Sequence, residues 1–160
     1  MNKILAGILA FFLWIFPWSN TLFGWHAQLS FDRNATMNKI ISCVQNQDVA
    51  GLEAMMHPWL KTNEFDLTNK IQQFYDAIDG NITSIEKGAE GSRNTGGIYS
   101  ETLNFVIDTD MSMHYYFIIM YDVSSAKNRQ ETGISFLQLS TGLIGDPGRV
   151  VHFVLKTPEW

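Results

Sequence analysis

The sequence predicts an α+β domain: three helices, then an antiparallel sheet of about five strands, with the helices packed on one sheet face. Three observations carry this. Apolar residues recur at helical spacing up to Ile78, most clearly at Leu67, Ile71, Phe74, Tyr75 and Ile78. After Gly80 the period changes from 3.6 to 2, and Leu103, Phe105 and Ile107 alternate with Thr102, Asn104 and Asp108. Short polar or glycine-containing connections separate the later runs, as in a sheet of sequential antiparallel strands.

Each element has its own signals. Thr36 is placed to cap a first helix carrying Met37, Ile40, Ile41 and Val44 and ending near Gln47. Asp48 caps a second, shorter helix with Val49, Leu52, Met55 and Met56 inward, and Pro58 stops it. Asp66 caps the third helix, and Gly80 suits a left-handed position after its end. The first strand runs from Ile82 to about Glu90. The four glycines between Gly88 and Gly97 predict a bend or loop. Ile98 to Val123 reads as a hairpin around Asp108–Ser112, with Tyr115 to Tyr121 apolar on both faces. A polar loop spans Ser124–Glu131. Gly133–Ser140 and Val150–Lys156 are the last strands, joined through a turn at Gly142–Gly148. A twisted sheet of this kind curls around the third helix and leaves a tapered cavity.

The N-terminus is distinct. Ile4 to Trp18 is an uninterrupted apolar run of 15 residues behind Lys3. That length fits a signal-peptide core and is short of the ~20 residues of a spanning helix. Trp14, Trp18 and Trp25 suit a membrane–water boundary. Residues 1–27 are therefore a signal peptide or membrane anchor, with cleavage and retention both open, and a helix packed on the body as a third outcome. Residues 28–35 form a linker and 36–160 the domain. The expected location is extracytoplasmic, secreted or tethered to the cytoplasmic membrane through residues 4–18 if uncleaved.

Composition narrows the partners. Of 160 residues, 46% are hydrophobic and 17% charged, which is globular and not disordered. Lys3 is the single charged residue of the first 27, so the rest carries 10 basic and 16 acidic side chains, a net of −6. An acidic body argues against nucleic acid as a partner. One cysteine, Cys43, allows no internal disulfide and no thiolate zinc site, and its neighbours Ile40, Ile41 and Val44 predict burial.

Four segments go further: DVAGLEAMMHP at 48–58, FDLTNKIQQFYDAIDGNI at 65–82, DTDMSMHYY at 108–116 and TGI at 132–134. Over about residues 36–142 the chain resembles a family of uncharacterised bacterial envelope domains, many of them lipoproteins. The helix–sheet order resembles the cone of the nuclear-transport-factor-2-like (cystatin-like) fold. The chain departs from the lipoprotein pattern in lacking an acylated cysteine after the apolar run. The resemblance implies a shape and a location, and supplies no catalytic residues.

No motif specifies a reaction. GxSxG, the P-loop and GxGxxG are absent, and GAEGSRNTGG precedes a strand where a phosphate cradle needs a helix. His57 reads as a cation at a helix C-terminus. His114 beside Asp108 and Asp110 is a candidate acid–base or metal cluster, but the preferred reading is that both aspartates serve the turn through side-chain to backbone bonds and His114 is a strand residue. His152 has no evident partner. No catalytic, cofactor or metal residues are assigned, and no cofactor is implied.

The leading expectation is thus a non-catalytic binding or protein-interaction domain. Its rival is a small-molecule enzyme, isomerase- or hydrolase-like, using an Asp–Tyr pair in the cone. For the hairpin, an even loop is expected because residues 109–112 contain no glycine for a left-handed position. That register pairs Asp108 with Met113 and turns Tyr116, Ile118 and Met120 toward the helices. Tyr115, Phe117, Ile119 and Tyr121 would then form an uncovered row, a partner surface for a second copy or an envelope protein. The odd register exchanges the faces.

Overall fold

In a computed structural model the described residues are 32–95, 98–123, 132–142 and 147–158. The signal-peptide or anchor segment 1–27, the linker up to residue 31, and the loop 124–131 lie outside them, as do residues 143–146 of the last turn.

Among the described residues, four helices precede the strands. Helix α1 spans Arg33–Gln45 and is capped by Asp32, whose side chain accepts from Ala35 N at 2.9 Å. It begins three residues before the expected cap at Thr36, because Asp32 offers the carboxylate acceptor. Residues 33–35 therefore belong to the helix and not to a linker. Helix α2 is Val49–Ala54, capped by Asp48 as expected. Pro58 does not merely stop α2. It is the first residue of a further helix, α3 (Pro58–Asn63), since a proline at that position loses no hydrogen bond. His57 is accordingly an N-cap and not a C-terminal cation, and its Nδ1 accepts from Trp59 N at 3.1 Å. Helix α4 is Leu67–Asp76, which buries Leu67, Ile71, Phe74 and Tyr75. Asp66 precedes it in a left-handed conformation without a side-chain cap bond. Gly80 has φ +86°, and a Cβ there would lie 2.5 Å from Asp110 Oδ1.

Five strands follow: β1 (Ile82–Thr95), β2 (Ile98–Thr109), β3 (His114–Val123), β4 (Gly133–Thr141) and β5 (Val150–Lys156). They form one open antiparallel sheet in sequence order. The glycines after Gly88 do not end β1. The strand continues to Thr95, and its register with β2 shifts between Lys87 and Glu90. Such a bulge lets small residues stay in a strand while bending it.

The hairpin register is odd. Phe105 pairs with Phe117, Ile107 with Tyr115 and Asp108 with His114. The expected even register is wrong because Ser112 itself takes the left-handed position, φ +57°. A three-residue loop then closes with Thr109 N to Met113 O at 3.1 Å. A left-handed non-glycine residue costs about 1–2 kcal/mol. Turning a row of large apolar side chains into the core stabilises by more than that. Tyr115, Phe117 and Ile119 are buried in the same cluster as Phe74 and Phe105, and Tyr121 packs partly buried against it. The row is an inner face, with Tyr115, Phe117 and Ile119 buried and Tyr121 partly buried, and not the uncovered row expected.

Candidate functional site

On the helix side the sheet has little left to offer. Phe74, Leu103 and Phe105 are buried, as is Ile78. The Phe74 ring lies 5.1 Å from Phe117 and 5.7 Å from Phe153, centroid to centroid. These side chains fill the space where a tapered cavity was expected. The tyrosines nearby are engaged with their own chain. Tyr75 donates to the Cys43 carbonyl at 3.1 Å, and Tyr115 accepts from Asp79 N at 2.9 Å. Neither hydroxyl meets an aspartate side chain, as the isomerase-like reading required.

The Asp108–His114 cluster resolves into turn and edge contacts. Asp108 Oδ1 meets His114 Nδ1 at 2.5 Å, and its Oδ2 accepts from Ser84 Oγ at 2.8 Å. These bonds, Ser84 first and His114 second, hold the Asp108 carboxyl below its ordinary range. The aspartate stands between serine and histidine, so the histidine is not placed to deprotonate the serine. Asp110 is turned away, accepting from Asn81 N at 2.8 Å and Asn81 Nδ2 at 2.7 Å. Among the described residues no three His, Cys, Asp or Glu side chains converge as metal ligands. His152 does have partners: Thr141 Oγ1 at 3.0 Å and the Tyr115 ring at 5.8 Å.

An opening lies on the other sheet face. A groove of about 320 Å³ is lined by Gly88, Ala89, Asn104, Phe105, Val106, Tyr116 and Ile118. Its origin is local. The β1 bulge places Gly88 and Ala89 beside Asn104, and neither residue has a side chain long enough to fill the sheet surface. A Cβ on Gly88 would already lie 3.2 Å from Asn104 Cβ. Asn104 donates to the Ala89 carbonyl, which ties the bulge to β2. Val106 and Ile118 supply apolar lining, and Tyr116 an aromatic ring. Sequence reasoning missed this site because it assigned Gly88–Gly97 to a loop and turned Tyr116 and Ile118 inward. The glycine-and-alanine pair within an alternating strand was the available signal.

The model for a domain of unknown function (DUF5104) matches residues 39–142, which is most of α1 through the end of β4. The chain belongs to this family. The DUF5104 match includes every groove residue and leaves out Arg33 and β5. None of the curated proteins matches the chain.

Proposed function

We propose that this DUF5104 domain is a non-catalytic binding domain working outside the cytoplasm, and that the groove at the β1 bulge holds a small apolar ligand. The groove carries the reading. It sits at the lower end of the ~300–1,000 Å³ of small-molecule sites and is apolar, with Asn104 as the polar exception beside the Tyr116 hydroxyl. The export-type run Ile4–Trp18 supports the location. The helix-on-sheet order supports a nuclear-transport-factor-2-like cone, and the likeness to envelope domains points the same way. The rival enzyme gains no observation, since the helix side is filled and the Tyr75 and Tyr115 hydroxyls bond to backbone atoms.

A neutral fluorescent probe, N-phenyl-1-naphthylamine, tests the groove. Saturable enhancement in the full chain and its loss in Ala89→Leu, with unchanged melting, is the expected result. Equal enhancement in the variant removes the groove from the reading. For location, a reporter that works only in the cytoplasm is fused after Trp160, and its activity would overturn the export reading.

A further inference from the structure

Glu101 lies on the helix-side face of β2, and its side chain is 1% exposed. Its Oε1 accepts from Arg33 Nη2 at 2.6 Å and also from the Tyr99 hydroxyl. Arg33 Nη1 reaches Glu90 Oε2 at 3.0 Å. One guanidinium on the first residue of α1 therefore ties the helix to two strands. The Glu101 contact is a single bond. Glu101 Oε2 and Arg33 Nε are both buried and have no hydrogen-bond partner among the described residues. Arginine–carboxylate pairs are frequently bidentate, with two parallel bonds, and this one is not. Buried polar atoms left open call for a specific reason. Two carboxylates facing one guanidinium also leave a local charge of −1.

The geometry points to a guanidinium-binding site formed by Glu101, Glu90 and Tyr99, in which Arg33 is the resident ligand and the first turn of α1 is a displaceable strap. A planar cation with donors on several edges reaches carboxylates on adjacent strands together. A lysine ammonium is a compact point charge and does not span them in that way. The Arg33 side chain is 39% exposed, so a competing arginine side chain or free guanidinium compound can approach it from solvent. This site is separate from the apolar groove and stands without it.

Methylguanidinium is the probe, at sub-denaturing concentration, with methylammonium at equal ionic strength as control. Arg33→Ala should melt lower than the native chain. Methylguanidinium should restore it saturably, methylammonium should not, and the double variant Arg33→Ala, Glu101→Gln should not respond. No restoration, or equal restoration by both cations, overturns the site. If Arg33→Ala does not fold, hydrogen exchange in the native chain decides. Methylguanidinium should speed exchange in the first turn of α1 while α4 is unchanged, and Glu101→Gln should abolish the response. An even rise along the whole chain is ordinary denaturation and refutes the strap.

Discussion

Phe105 and Phe117 stand directly opposite each other on β2 and β3, with ring centroids 5.4 Å apart. The contact lies on the helix side of the sheet, and Phe74 of α4 closes over it. Aromatic pairs at this separation add about 0.5–1.5 kcal/mol beyond the area they bury.

Phe117→Ala should therefore cost about 3–5 kcal/mol, the range for removing a buried phenylalanine. Urea unfolding measures it. Phe117→Asp should not yield a folded monomer, because it places a carboxylate against Phe74 and Phe105 with no partner. A well-folded Phe117→Asp chain would refute the odd register.

Gly133 marks the second sensitive point. Met56 and Ile134 form a parallel bridge, with Ile134 N donating to Met55 O at 2.8 Å and His57 N to Ile134 O at 2.9 Å. A Cβ on Gly133 would sit 2.8 Å from the backbone of Met56 and His57. Gly133→Ala should destabilise by roughly 1–3 kcal/mol through overpacking of backbone that cannot step aside. The melting temperature of the variant checks this, and an unchanged value would show that the helix connection gives way.

The alkaline limit of stability should trace to Tyr75 and Cys43. Burial pushes the Tyr75 phenol up first, and the charges of Cys43 and Asp48 add to it. Burial also raises the Cys43 thiol, with Asp48 second. Both groups hold their protons more tightly in the folded chain than in the unfolded one. Their contribution is complete below the unfolded values, about 8.5 for cysteine and about 10 for tyrosine, and declines as pH rises beyond them. Urea midpoints across this range should fall, and Cys43→Ala should flatten the first part of the fall. A profile identical in native and variant chains would exclude the thiol.

On the acid side Asp110 acts in the opposite sense. The Asn81 side chain and then the Asn81 backbone hold its carboxyl below the ordinary range. Its contribution is present above the unfolded value of about 3.9 and is lost as pH falls through the lower folded value. Asp110→Ala should lower the melting temperature at neutral pH and shrink the loss on acidification. An unaltered acid limb would mean that the β2–β3 turn does not depend on this bond.

The sequence by itself determined the class and order of the elements. The apolar stripe of α4, the Asp48 cap and the alternation of β2 are local patterns, and local periodicity reports which face of an element is buried. Cys43 was legible as a buried side chain for the same reason. The tertiary structure alone decided the register of β2 against β3. A one-residue slip exchanges the faces, and the rows Tyr115–Tyr121 and Tyr116–Met120 are both apolar enough to be buried. Ser112 settled it by adopting a conformation expected of glycine, at a cost that only packing against Phe74 and its neighbours offsets. The groove and the Arg33–Glu101 contact were out of reach for a related reason. Gly88 and Asn104 are 16 positions apart, Arg33 and Glu101 are 68 apart, and a bulge and a helix start bring each pair together.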